Sequence, residues 1–301
     1  MPPPFIKFHG FGNDYIVIES KDLALAGVST TAELGEFTRR ICNRHYGAGG
    51  DGIAVVSLSE VQGADFHVRI FNPDSSEASL SGNGTRCAAA YLYYKELWSA
   101  AQLRLSTRAG TKLYTIREQT PAGHYLFDSE LGQPKFDSNS IPMTTREPME
   151  RVIDYELEVE DESFPVTALQ MGNPNCCIFV DDFELEWRRI GKAIETHKQF
   201  PERTNVIFVR VVDRRTIELR IWERGVGETE ASGTCSCAAA VAAMVKEKTE
   251  RLVDVLMPGG RAKINWREGD GEVVITGTAE VIYEGDWLAG APASGNSFGV
   301  R

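Results

Sequence analysis

Residues 228–240 read ETEASGTCSCAAA, four hydroxyls, two thiols and two carboxylates leading into an alanine run. Ser232 stands directly before Gly233-Thr234, where the alanines predict the start of a helix. A serine there can cap the helix by accepting a backbone N–H, which stabilises by ~1 kcal/mol. It can also hold a proton-transferring group at the positive end of the helix dipole, where an anionic ligand is favoured. The pattern occurs twice. VRIFNPDSSEASLSGNGTRCAAAYL (68–92) aligns with LRIWERGVGETEASGTCSCAAAVA (219–242) at an offset of 151 residues. Arg69-Ile70-Phe71-Asn72 then matches Arg220-Ile221-Trp222-Glu223, and Ser81-Gly82 matches Ser232-Gly233. Each serine-glycine pair follows a polar loop and opens an apolar helix. Two such helix starts facing each other across a pseudo-two-fold axis would be rich in free N–H groups and suited to a carboxylate.

The elements that must hold this pair are mostly strands. Short alternating or apolar runs recur with turn residues between them: IAVVSL, FHVRIFN, LRLSTRAG, KLYTI, PVTALQM, CCIFVDD, TNVIFVRV, TIELRIWE and EVVITGTAEVIYEG. Four helices are predicted, over 31–45, 84–97, 184–200 and 233–248. Many strands with few helices, and no strict alternation of the two, is an α+β pattern. The internal repeat makes it a duplicated one. The expected division is an N-terminal unit over 1–127, completed by about 284–301, and a C-terminal unit over 128–283.

Composition narrows the function. The 301 residues carry a formal net charge of -11, which argues against nucleic acid or an anionic membrane as partner. A small anionic substrate remains compatible, since one basic side chain in a cleft can bind it. The N-terminus lacks the charged head and apolar core of a signal peptide, and no apolar run approaches a membrane span. The six cysteines, Cys42, Cys87, Cys176, Cys177, Cys235 and Cys237, show no CxxC spacing. They read as reduced thiols of a cytoplasmic protein. No histidine pair has metal-ligand spacing, so no metal is expected. Gly47–Gly52 matches GxGxxG, but the following IAVVSL reads as a strand, whereas a dinucleotide site must open a helix. No cofactor is expected.

The motifs GFGNDY (10–15), RHYGAGGDG (44–52), RIFNPDSSEA (69–78), SGNGTRCAAA (81–90), MGNPN (171–175), PERTNV (201–206) and WERGVGETEASGT (222–234) together resemble the diaminopimelate epimerase family, in order and over nearly the whole chain. The resemblance implies two pseudo-symmetric mixed-sheet units, each wrapped around a central helix, with the site between them. It implies a cofactor-independent isomerase of lysine and cell-wall biosynthesis that interconverts LL- and meso-diaminopimelate, and a homodimer. One group removes the α-proton and its mirror-related partner delivers a proton from the other side. By position, the catalytic residues are Ser81, Ser232 and Glu223. The substrate-contacting positions are Asn13, Asn72, Asn83, Asn173, Asn205, Glu223 and Arg224, with backbone from Gly82, Gly233 and Thr234. Taken singly, the asparagines next to glycine or aspartate also suit turns, and Arg224 also suits an ion pair with Glu223 or Glu228.

The chain departs from the family where the chemistry is done. The family uses two cysteines as its acid/base pair, and here both positions are serine. Asn175 stands where the family usually has histidine. A thiol ionises near ~8.5, while a hydroxyl lies closer to bulk water at ~15.7. The gap of roughly seven units corresponds to up to ~9 kcal/mol of lost basicity. Proton transfer should slow accordingly unless another group activates the serines, whereas shape and binding barely change. Three accounts fit: an epimerase whose cysteines were replaced deliberately; a natural isomerase or racemase using serines, on this or another amino acid; and a non-catalytic amino-acid binding protein that keeps the pocket.

Overall fold

The computed structural model describes residues 1–288; the remainder of the segment expected to complete the first unit, 289–301, lies outside the described residues. The first half of the chain runs β1 (Pro4–Gly10), β2 (Asn13–Glu19), α1 (Ser20–Leu25), α2 (Thr31–Ile41), β3 (Gly52–Leu58), β4 (Phe66–Phe71), β5 (Glu77–Ala78), α3 (Gly82–Tyr94), β6 (Gln102–Thr107), β7 (Gly110–Gln119) and β8 (His124–Gly132). The second half runs β9 (Tyr155–Val159), β10 (Glu162–Gln170), β11 (Pro174–Phe179), α4 (Trp187–Glu195), β12 (Asn205–Asp213), β13 (Thr216–Glu223), β14 (Gly227–Thr229), α5 (Gly233–Val245), β15 (Leu252–Met257), β16 (Gly260–Trp266) and β17 (Val273–Asp286).

The pairings close two rings. The first passes through β1, β2, β3, β4, β6, β7, β8 and β17 and returns to β1, a closed barrel of eight strands. The second passes through β10, β11, β12, β13, β15, β16 and β17 to β8, and the Lys135–Gln170 bridge just beyond β8 returns it to β10. Equivalent steps match. β2–β3 and β11–β12 are parallel, as are β4–β6 and β13–β15, and the other steps are antiparallel. The strands β8 and β17 lie side by side and belong to both rings.

Each ring is filled by one helix. Residues 83–93 of α3 and 235–244 of α5 are all buried. A helix enclosed on all sides needs an apolar surface all round and narrow side chains facing the strands. The alanine triplets Ala88–Ala90 and Ala238–Ala240, all fully buried, supply this. The outer layers differ: α1 and α2 cover the first ring around Ile16, Ile18 and Phe37, and α4 covers the second around Trp187, Ile190 and Phe208. The four expected helices all occur, each shorter than its pattern, and α1 was not foreseen. The segment after Gly47–Gly52 is the strand β3, as expected. Among the described residues no helix is long and apolar enough to cross a membrane.

Candidate active site

Ser81 and Ser232 are the N-caps of the two central helices, and α3 packs against α5. Their hydroxyls nevertheless do different things. Ser81 Oγ accepts from Gly84 N at 3.0 Å, an ordinary cap. Ser232 makes no side-chain cap; its hydroxyl donates to Glu223 Oε2 at 3.2 Å. The helix cap is thus made by Ser81 and not by Ser232, whose hydroxyl is turned to a carboxylate instead. Glu223, at the end of β13, also accepts from Thr229 Oγ1 at 2.7 Å across the β13–β14 turn. Burial pushes its carboxyl above the usual carboxylate range, against the hydrogen bonds from Thr229 and Ser232. Without a side-chain cap, the first turn of α5 at Gly233 and Thr234 keeps backbone N–H groups for a ligand.

Two equivalent hairpins border the helix starts. Phe11–Ile18 and Met171–Ile178 have the same succession of buried and exposed residues. Both turn at a glycine with φ of 80°, Gly12 and Gly172, a left-handed conformation that a side chain would strain. The turns present half-buried Asn13 and Asn173. Phe11 leaves its own half and joins the core of the second ring, so the first hairpin is anchored in the other unit.

Around Asn173 the site is built from amides and one guanidinium. Arg224 Nη2 reaches Asn173 Oδ1 at 3.4 Å and Nη1 reaches the Glu202 carbonyl at 3.1 Å. Its backbone N–H donates to Asn205 Oδ1 at 2.9 Å. The ion pair considered for Arg224 is not formed: Glu228 binds Arg188 instead, and Glu223 faces Ser232 and Thr229. Among the described residues Arg224 has no carboxylate partner, which leaves it fit to bind one. Glu195 on α4 supports this loop by accepting from Trp222 Nε1 and Gly225 N.

Asn175, where the resemblance implied a histidine, is fully buried. It donates to the Asn173 carbonyl at 2.6 Å and accepts from Asn205 Nδ2 at 3.1 Å. It therefore completes an amide network and supplies no titratable group. On the other side Asn13 donates to Asp51 Oδ2 at 2.9 Å, and Asn83 Nδ2 points to Asn13 Oδ1 at 3.5 Å. Gly82 opens α3 beside them. Asn72 is not gathered into this group: its amide donates to Ser76 Oγ within its own loop. Cys87, Cys235 and Cys237 are fully buried inside the helices, and burial pushes the Cys87 thiol up to about 12.

Tyr15, Asp51 and Arg86 escaped the sequence reading. Tyr15, the structural counterpart of Asn175 two residues past the hairpin asparagine, is buried beside Ser81 and senses the Glu223 charge. Burial pushes its phenol well up, and the adjacent Ser81 hydroxyl draws it partly back. It thus stands at the first helix start, within electrostatic reach of Glu223 in the second half. Matching GFGNDY to MGNPN sets Tyr15 opposite Asn175 but gives the tyrosine no role.

A family profile described as diaminopimelate epimerase matches residues 5–136 and 167–282. The chain belongs to the diaminopimelate epimerase family. A diaminopimelate epimerase of Desulforudis audaxviator is 38% identical over 287 residues, covering 94% of this chain and 99% of its own. One from Desulfitobacterium hafniense is 39% identical over 289 residues, covering 95% and 98%. Among solved structures, a hydroxyproline epimerase from Agrobacterium vitis with bound trans-4-hydroxy-L-proline superposes with a TM-score of 0.65 at 14% identity, over 94% of this chain and 90% of that one. At that identity the likeness is one of fold. Within the diaminopimelate epimerase family frame, the two helix starts differ by an exchange of bulk. Gly84 of α3 lies against the Tyr15 ring, where an added Cβ would come within 2.8 Å. In α5 the equivalent position is Cys235, packed on the smaller Asn175 at 3.7 Å.

Proposed function

We propose that the chain is a diaminopimelate epimerase that inverts the α-carbon by two-base proton transfer, using Ser81 and Ser232 on opposite sides of that carbon. The observation that carries this is the Ser232–Glu223 hydrogen bond at the mouth of α5, beside an Arg224 without a carboxylate partner. In this reading the substrate α-carboxylate lies on the Gly233-Thr234 end of α5 and on Arg224, and Asn13, Asn83, Asn173 and Asn205 bind the remaining polar groups. Asn72 serves by shaping its loop. As the α-C–H bond breaks, its proton passes to Ser232 Oγ while the serine proton moves to Glu223. A carboxyl whose proton is held more tightly than usual is better matched to that role. Ser81 delivers its proton to the opposite face, and the resulting alkoxide is stabilised by the Gly84 N–H and the Tyr15 phenol. The carbanion is stabilised by fixed N–H dipoles, so the reading requires no cofactor.

Each unit supplies one face: 1–127 with about 284–301 carries Ser81, and 128–283 carries Ser232. We further assign the protein to a reducing compartment, the cytoplasm. All six thiols are buried and unbridged, and adjacent Cys176 and Cys177 enter different cores. A homodimer follows from the family alone and is tested by sedimentation equilibrium.

The deciding experiment incubates the protein with LL-diaminopimelate in D₂O and follows loss of the α-proton signal. We expect exchange by the serine protein, faster by orders of magnitude in a Ser81→Cys, Ser232→Cys variant. Binding without exchange in either would make this an amino-acid binding protein. Exchange of another amino acid in preference would place it among the isomerases of this fold with a different substrate.

A further inference from the structure

Arg86 lies in the first turns of α3 with 1% of its surface exposed. Its Nη1 donates to Asn83 Oδ1 at 3.0 Å, its guanidinium stands 5.1 Å from the Phe11 ring, and its Nε has no acceptor. Among the described residues no carboxylate pairs with it, and burial works against its charge. Two strands are shaped around it. A Cβ at Gly277 of β17 would come within 2.9 Å of Arg86 Cζ, and one at Gly10 of β1 within 3.2 Å of Nη1. An enclosed cation without a counter-ion destabilises a fold, and a well-packed apolar side chain of similar length is usually better there. Packing alone gives no reason for an arginine at this position.

Its one hydrogen bond among the described residues does. A side-chain amide has two orientations of the same shape, and its hydrogen-bond partners decide between them. Arg86 can only donate, so Asn83 must turn its oxygen to Arg86 and its NH₂ toward Asn13 Oδ1. At the other end Asp51 can only accept while ionised, so Asn13 must turn its NH₂ to Asp51 and its oxygen toward Asn83. Asp51 is itself held by Arg44. The two amides thus form a row with a cation at one end and an anion at the other, and that polarity fixes both orientations.

We propose that Arg86 is a positioning residue that locks the Asn83 amide with its oxygen turned to Arg86 and its NH₂ on the Asn13 side, so that the remaining N–H is a preset donor for the substrate. This rests on the proposed function only in taking Asn83 as a substrate contact. Reversal would set a carbonyl oxygen where a hydrogen-bond donor is needed.

The test compares Arg86→Met, Arg86→Lys and Asn83→Ala, alone and with Arg86→Met combined with Asn83→Ala. Binding of LL-diaminopimelate is read by calorimetry, melting by circular dichroism, and the Asn83 side-chain NH₂ signals by ¹H–¹⁵N spectra. We expect Arg86→Met to melt no lower than the parent yet to bind about tenfold more weakly, one charged-group hydrogen bond's worth. Arg86→Lys restores part of the affinity, and Arg86→Met adds nothing once Asn83 is alanine. The Asn83 NH₂ signals shift or broaden in Arg86→Met without any ligand. Unchanged Asn83 signals, or affinity losses that simply add in the double variant, would overturn the proposal. If the parent itself does not bind diaminopimelate, the proposed function fails while the Asn83 spectra still decide this one. Should Arg86→Met not fold, Arg86→Lys and Asn83→Ala carry the same spectral and affinity comparison.

Discussion

Two serines in equivalent places have different hydrogen-bond partners, and this asymmetry sets the chemistry at the residue scale. Ser232 donates a hydrogen bond to a half-buried carboxylate; Ser81 caps a helix beside a buried phenol. Replacing Glu223 by Gln keeps the shape and removes the proton acceptor. Exchange of the α-proton should fall by about 10²-fold or more, the usual worth of a positioned base. Stability should move the other way. The Glu223 carboxyl is raised in the fold, so its contribution is fully present below the unfolded value of 4.5 and is lost as pH rises through the folded one. Glu223→Gln should therefore melt higher than the parent at neutral pH, with the difference shrinking toward pH 4; equal melting at both ends would refute the burial cost. Tyr15→Phe keeps the ring against Gly84 and removes the hydroxyl beside Ser81. Exchange should drop about tenfold, with stability changed by no more than about 1 kcal/mol, and an unaltered rate would remove Tyr15 from the mechanism. Ser81 and Ser232 stood out because the repeat marks them as a pair, while Glu223 and Arg224 were singled out only by the family resemblance. Tyr15, Asp51 and Arg86 were not, because their meaning lies in contacts made across the sheet, and a tyrosine in an apolar strand reads as core.

At the scale of elements, the duplication extends to how the central helices stop. Both expected helices run on past the true end, to 97 and 248, through Lys95-Glu96-Leu97 and Lys246-Glu247-Lys248, and the sequence places no glycine there. The chain nonetheless turns left-handed at Glu96 and Glu247, each with φ of 56°. The following N–H groups reach back, Leu97 N to the Leu92 carbonyl and Lys248 N to the Ala243 carbonyl, both at 2.9 Å. This is the closing motif normally made with glycine, and a side chain in that conformation costs roughly 1–2 kcal/mol. Ring width dictates the stop, since the chain must leave the barrel to begin β6 or β15. Glu247→Gly should therefore stabilise the protein by about 1 kcal/mol, read as a higher urea midpoint at unchanged slope. A lower midpoint would mean the glutamate side chain compensates its own backbone.

At the scale of the molecule, β8 and β17 each complete one ring and then run on into the other. The strands themselves are visible in the sequence, but their closure is not. Pairing Tyr125 with Ala279 or Val273 with Gly132 leaves no local mark, whereas a hairpin is announced by its turn. The repeat told that there are two units without telling that they share strands, and the difference has a thermodynamic consequence. Units that merely touch can unfold one after the other, as chains of this length commonly do. Here neither ring can open while the other stays closed, because opening either removes a strand from its partner, and Phe11 of the first half is packed in the second core. The protein should therefore lose both cores together. Trp98 packs against the first core and Trp266 against the second, so single-tryptophan variants retaining one or the other report separately. Both should give the same urea midpoint, coincident with the loss of far-ultraviolet ellipticity. A saturating ligand should move them together, by about 2.7 kcal/mol at a hundred times its Kd. Midpoints that part, with one ring melting ahead of the other, would show that the shared strands do not couple the units.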